Sequence, residues 1–302
     1  MSSGRFLVIT ADDFGIGPET SRGILELAGR GLVTASVLLV NSPHAESAVQ
    51  AWRMSGIPLE LGWHPCLTLD APVSPPGNVR SLVDADGRFL SLGQFLSKLL
   101  SGRVRPDDVA RELRAQLARF QELIGHAPTV VNTHHHVQVF PPVGKILAEL
   151  LNSHQRRPYV RRVREPWRML KQIPGARGKR AILTTLGSRN ARRLDLGRFP
   201  GNHFLAGITD PPLVADPDFL ERWLTRMPGR LVELSCHPGH HDPTLIDRNG
   251  ERLSELSMRR VREFALLNRP GFREMCTRAG FIIISPGALG ELGPFRGMLQ
   301  AA

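Results

Sequence analysis

Phe6-Leu7-Val8-Ile9-Thr10-Ala11-Asp12-Asp13-Phe14-Gly15 opens the chain with an apolar run that ends in two carboxylates and a Phe-Gly turn. A short continuous apolar run stopped by turn residues reads as a strand buried on both faces, as in a parallel sheet. Further runs of this kind lie at Ala35 to Val40, Leu59 to Gly62, Thr129 to Asn132, Leu231 to Ser235 and Phe281 to Ser285. Helical periodicity covers Glu19 to Gly29, Pro106 to Ile124 with Asp107 as its cap, Val143 to Leu151, Asp218 to Thr225 and Ser257 to Asn268. Strands alternating with helices predict an α/β barrel on a largely parallel sheet, with one domain over residues 1–302. The stretch Ala71 to Gly87, punctuated by Pro and Gly, predicts a long loop or short hairpin over the barrel mouth.

Four of the apolar runs end in residues able to bind a metal: Asp12 and Asp13, His64, the run His134-His135-His136, and His237. The carboxyl ends of parallel strands face one way and carry the active site, so four strands would deliver these groups to one mouth. Consecutive side chains of an extended chain point to opposite sides, which lets one aspartate hold an ion while the other faces substrate. By the same rule His134 and His136 share a side, and His135 turns away as a structural residue. Singly, each feature has a plainer reading. Asp-Asp pairs crowd solvated turns, a lone His is more often hydrogen-bonded than ligating, and histidine tracts occur in loops.

One Asp and two His around an ion leave positions open for water and substrate, as a catalytic site requires. Such an ion polarises a carbonyl and acidifies water, and a neighbouring carboxylate takes the proton, which suits hydrolysis of an amide or ester. The leaving amine needs a proton, and His237 in Ser235-Cys236-His237-Pro238-Gly239 is the natural donor. His240, His241 and Asp242 follow closely and keep the choice of acid within that loop open.

Composition narrows the alternatives. Cys66, Cys236 and Cys276 have no CxxC spacing, which argues against a disulfide framework and a thiolate zinc cluster and reads as small buried residues. No apolar run reaches the roughly 18 residues of a membrane span. The residues ahead of the first strand lack a basic n-region, a long apolar h-region and a cleavage site, so the expectation is a cytoplasmic protein. The net charge of +11 is concentrated: from Arg156 to Arg193 there are 13 Arg or Lys against the single Glu165, and the remaining 26 basic and 27 acidic residues nearly cancel. This predicts an insertion-like basic segment at about 156–193. It reads as a solvated insertion, or as a surface that meets an anionic partner such as a membrane, holding the protein there peripherally. No nucleic-acid motif accompanies it and only Tyr159 and Trp167 could stack bases, so nucleic acid is not an expected partner.

Thr10-Ala11-Asp12-Asp13-Phe14-Gly15, Gly62-Trp63-His64, Asn132-Thr133-His134-His135-His136 and Cys236-His237-Pro238-Gly239 resemble, in this order, the four signatures of the YdjC-like (ChbG-like) carbohydrate deacetylases. The likeness runs from Arg5 to about Ser285 and takes in Val33-Thr34-Ala35-Ser36, Leu82-Val83-Asp84-Ala85-Asp86-Gly87 and Glu112 to Gln121. It is weakest across the basic segment. The resemblance implies a distorted (β/α) barrel similar to polysaccharide deacetylases, a divalent metal ion such as zinc or magnesium, and removal of acetyl from an N-acetylated sugar, in an oligosaccharide or a glycolipid. Carried over by motif, Asp13, His64 and His134 hold the metal, Asp12 is the general base, and His237 is acid or orienting partner. Asn132 and Val163-Arg164-Glu165-Pro166 resemble the hopanoid-associated branch. Pro65, where relatives usually carry Leu, and Gln138, where a further His is common, depart from the pattern and bear on the substrate pocket. A metal-dependent phosphoesterase and a non-catalytic sugar or lipid binder are the competing readings, and association into a homo-oligomer stays open.

Overall fold

In the computed structural model, which describes residues 4–154, 156–245 and 253–290, the first apolar run becomes the central strand β1 (Arg5–Phe14). The other described strands are β2 (Ala35–Leu38), β3 (Glu60–Trp63), β4 (Val130–Val131), β5 (Tyr159–Val160), β6 (Phe204–Ala206), β7 (Leu231–Cys236) and β8 (Phe281–Ile283). Their pairings are parallel, in the order β5-β4-β3-β2-β1-β7-β6, with β8 also paired to β1. The helices are α1 (Pro18–Gly29), α2 (Ala45–Ser55), α3 (Leu92–Leu100), α4 (Pro106–Ile124), α5 (Pro141–Asn152), α6 (Trp167–Gln172), α7 (Arg177–Leu196), α8 (Phe219–Arg226), α9 (Leu253–Asn268) and α10 (Phe272–Arg278).

β1 is apolar from Phe6 to Ile9 because both of its faces are covered there. Leu7 and Ile9 enter one apolar cluster, and Phe6 and Val8 enter another. The two ends of the sheet also meet. Leu205 N–H donates to Arg164 O at 2.8 Å, Val160 N–H donates to Pro200 O at 2.8 Å, and the Asn202 side chain pairs with both backbone groups of Arg162 at 2.8 Å. These bonds join the edges without a regular ladder and close the sheet into a distorted (β/α) barrel, the expected class.

β5 and β6 are two and three residues long and stand beside polar neighbours, Arg161 and Arg162 after β5 and Asn202 and His203 before β6, so no longer apolar run marked them in the sequence. Asp107 lies in the first turn of α4 and not at its cap, because Pro106 occupies the first helical position with Arg105 ahead of it. The stretch 71–87 is a loop with one 3-10 turn at Pro76–Asn78 and a single antiparallel bridge from Val83 to Phe89. Glu112 of α4 pins it by accepting from Val73 N–H and Ser74 N–H, both at 2.9 Å. The three cysteines are buried free thiols. No described helix is long and apolar enough to cross a membrane.

The reading of 156–193 as a solvated insertion is corrected. The segment supplies β5, α6 and most of α7, and Arg161, Arg162 and Arg180 are buried. Buried guanidinium must be paired, and each of them is. Arg180 grips Glu165 through Nε and Nη2 at 2.7 and 2.6 Å, and Arg162 reaches Asp195 at 2.7 Å and the carbonyls of Val160 and Phe199. Arg164 donates to His203 O at 3.0 Å. Arg161, Arg162 and Arg164 are therefore engaged inside the fold and do not form a docking face. The exposed basic residues of the segment lie elsewhere, including Arg168, Lys171, Arg177, Arg189 and Arg192.

Candidate active site

The carboxyl ends of β1, β3, β4, β5 and β7 converge, and the site is built where β1 breaks register. Ala11 pairs with Ser36 and Phe14 with Leu38, so β1 carries one residue more than β2 across this step. The surplus is taken up as a bulge with Asp13 in the left-handed region at φ 67°, which aspartate tolerates better than most residues. Gly15 follows at φ 83°, and Ile16 N–H closes the turn on Asp13 O at 3.0 Å. The bulge, not the strand pleat, sends Asp12 and Asp13 to different partners.

Asp13 faces two histidines. Its Oδ1 lies 3.2 Å from His64 Nε2 and 3.0 Å from His134 Nδ1, and ligand atoms of the three buried residues all fall within 4.8 Å of one another. His64 Nδ1 is 3.1 Å from the backbone oxygen of Asn132, which can only accept. Nδ1 therefore carries a hydrogen, and Nε2 is aimed at the Asp13 carboxylate. A carboxylate oxygen and two imidazole nitrogens gathered this closely are donor types that a divalent metal such as zinc takes, so the set fits such an ion. Arg260 takes the other oxygen, Oδ2, at 2.7 Å. Burial alone would raise the Asp13 carboxyl, but His134 and Arg260 beside it hold it well below the usual carboxylate range.

Asp12 faces the opposite way and is saturated. Oδ1 accepts from Asn132 Nδ2 at 3.0 Å and Arg161 Nη2 at 2.8 Å, and Oδ2 accepts from Arg161 Nη1 at 2.6 Å and Ser235 Oγ at 3.0 Å. Burial acts to raise its carboxyl too, yet the Arg161 fork holds it far below the usual range, so Asp12 is ionised at neutral pH. Behind it, Arg161 Nε donates to Glu233 Oε1 at 2.7 Å and Tyr159 Oη donates to Glu233 Oε2 at 3.0 Å. One buried guanidinium thus serves two buried carboxylates.

Of the loop after β7, His237 is the histidine that faces Asp12, with Nε2 3.8 Å from Oδ2 and a quarter of its side chain exposed. His240 bonds Glu26 at 3.0 Å and packs on Phe264, while Asp242 caps α1 through the N–H groups of Glu19 and Thr20. The extended geometry expected for the histidine run is not found. His135 and His136 both have left-handed backbones, φ 55° and 57°, so alternation fails there. His135 bonds Thr68 Oγ1 at 2.9 Å, in keeping with a structural role, and His136 stands outside the three-ligand cluster.

Sequence reasoning missed Arg161, Glu233, Arg260 and Glu263. Glu233 alone carried a signal: a charge inside the buried run Leu231 to Ser235 needs a buried partner. The arginines were hidden in a charge-rich background.

Similarity to known proteins comes from both sequence and structure. Carbohydrate deacetylase of Mus musculus is 44% identical over 149 residues, covering 49% of this chain and 47% of the relative. Chitooligosaccharide deacetylase of Klebsiella pneumoniae (strain 342) is 38% identical over 146 residues, covering 48% of this chain and 54% of the relative. The chain spans about half the length of these relatives. A crystal structure from Enterococcus faecalis V583, of a protein provisionally named for cellobiose-phosphate cleavage, shares the fold with TM-score 0.72 and 24% identity, covering 95% of this chain and 99% of that one. The family model for YdjC-like proteins matches residues 6–278, nearly the whole of the barrel just described, and the chain belongs to the YdjC-like protein family.

Proposed function

We propose that this protein is a metal-dependent hydrolase that removes acetyl from an N-acetylated carbohydrate. The observation that carries the reading is the division of β1's two carboxylates: Asp13 with His64 and His134 on one side, Asp12 with His237 on the other. The names of the Mus musculus and Klebsiella pneumoniae relatives supply the substrate class. Asp13, His64 and His134 would hold a divalent ion, zinc or magnesium. That ion supplies Lewis acidity, polarising the acetyl carbonyl and making a water easier to deprotonate.

The remaining work falls to the chain's own side chains. Asp12, ionised and fixed by Arg161, Asn132 and Ser235, takes the proton of the attacking water as one of the four bonds to its oxygens gives way to that water. His237 gives a proton from Nε2 to the sugar nitrogen as the carbon–nitrogen bond breaks, so acetate and a free amine leave. A phosphoesterase using two metals would need a second ligand cluster, and the described residues hold the one.

The test is acetate release from N-acetylated chito-oligosaccharides, which a chelator should abolish and added zinc or magnesium restore. Phosphate release from aryl phosphates without acetate release would overturn the reading, and activity on neither would favour a sugar-binding protein.

A further inference from the structure

Of the three rings in the histidine run, that of His136 is left unpaired among the described residues. His134 faces Asp13 and His135 bonds Thr68, whereas His136 Nδ1 is sealed from water without a hydrogen-bond partner. The side chain is only half-buried, and Nε2, which makes no bond among the described residues either, is not sealed and opens to solvent. An unmet buried polar atom is uncommon and calls for a reason. The backbone calls for one as well. His135 and His136 are both left-handed, a conformation that residues with a Cβ seldom adopt and that gathers at functional sites. Two bonds hold the turn: His134 N–H donates to Pro65 O and His136 N–H to Thr133 O, both at 3.0 Å.

The turn decides which flank of the site His136 meets. In an extended run it would share a side with His134, beside Asp13. Instead, burial first and then Arg161, Lys179 and His237 push its ring well below its ordinary value, against the pull of Asp12. These neighbours belong to the flank of Asp12 and His237, not to the three-ligand cluster. From this placement we infer that His136 is a substrate-binding residue whose open Nε2 pairs with a sugar hydroxyl on a carbon next to the one that bears the acetamido group. The inference rests on the deacetylase reading. In that reading Asp12 and His237 address the water and the sugar nitrogen, so the part of the substrate beside them is the sugar ring. A hydroxyl both donates and accepts, and it meets Nε2 in either neutral tautomer. The bond is present in bound substrate and transition state alike, so its loss falls on KM.

The experiment compares an N-acetylated chito-oligosaccharide with an aryl acetate, which has no hydroxyl to offer. His136→Phe keeps a ring and removes both nitrogens. It should raise KM for the oligosaccharide about tenfold, the worth of one hydrogen bond, with kcat, metal content and aryl acetate hydrolysis close to wild type. His136→Gln, whose amide nitrogen reaches a similar distance, should recover much of the loss. An analogue lacking the hydroxyl next to the acetamido carbon should show the raised KM with wild type, and His136→Phe should raise it no further. Calorimetry of the oligosaccharide on chelator-treated protein reads the same contact without turnover, and His136→Phe should weaken binding by the same factor. Metal loss in His136→Phe and His136→Gln, equal losses on both substrates, or unchanged KM and affinity would overturn the inference. Wild-type protein that binds the sugar but releases no acetate would sink the deacetylase reading alone, with the binding arm still deciding for or against His136.

Discussion

Arg161 forks Asp12 through two parallel bonds, Nη1 to Oδ2 at 2.6 Å and Nη2 to Oδ1 at 2.8 Å, across a sequence separation of 149 residues. β5 places that guanidinium: two residues of ladder, Tyr159 and Val160, set Arg161 beside the end of β4, where its N–H donates to Val131 O at 3.1 Å. The fork keeps Asp12 ionised and immobile, and Glu233 keeps the fork from turning.

Arg161→Met should destabilise the protein by about 3–5 kcal/mol, because it leaves Asp12 and Glu233 buried without their shared counter-charge. Arg161→Lys should recover little, since a single ammonium cannot reproduce the planar fork. Urea unfolding of the two variants beside the wild type measures both effects, and equal stability of Arg161→Met would contradict them.

The two carboxylates of the bulge should separate under mutation. Asp13→Ala, His64→Ala and His134→Ala should each lose most bound metal by elemental analysis while keeping the wild-type circular dichroism spectrum. His136→Ala should keep the metal, in line with its place outside the cluster. Asp12→Asn should also keep it, yet lose turnover by about a hundredfold or more, the scale of a positioned base. Metal loss in Asp12→Asn would reverse the assignment of the pair.

Acid should unfold the protein through its depressed carboxyls. Glu263 has an ordinary value of 4.5 and is held at about 2 in the fold, so the unfolded chain binds that proton more tightly. The stability from this group is complete above about pH 4.5 and is lost as the pH falls towards 2, at most about 3 kcal/mol. Asp12 and Asp13, also lowered, act in the same direction. The unfolding free energy measured from pH 6 down to pH 2 should fall steadily, and Glu263→Gln should flatten the slope by up to one proton. An unchanged slope in that variant would count against the burial of its charge.

Gly62 lets β3 approach β4. A Cβ there would stand 2.3 Å from Val130 O, which is backbone and cannot swing aside. Gly62→Ala should cost about 3 kcal/mol, at the upper end of ordinary overpacking. It should also weaken metal binding, because His64 and the Asn132 carbonyl that orients it directly follow the two strands being pushed apart. Loss of stability with full metal affinity would show that the strands separate away from the site.

Local chemistry was legible in the sequence. The apolar runs that became β1, β2, β3, β4 and β7 were readable because strands buried on both faces are largely apolar, β8 was readable from Phe281-Ile282-Ile283 although Ile282 is exposed, and the polar residues that stop β1, β3, β4 and β7 marked the mouth of the barrel. The run ends nominated Asp12 and Asp13, His64, the run His134 to His136 and His237 together, and only the family resemblance singled out Asp13, His64 and His134 among them. The tertiary structure alone decided what these residues face. A one-residue bulge and a left-handed Asp13 replaced the pleat in dividing the carboxylates, and left-handed backbones at His135 and His136 overrode the alternation expected of an extended run. Net charge could not distinguish Arg161, sealed between two carboxylates, from its solvated neighbours in the same basic segment. Whether a charge is paired and buried depends on which distant strand arrives beside it, and that contact is made between residues too far apart for any local pattern to record.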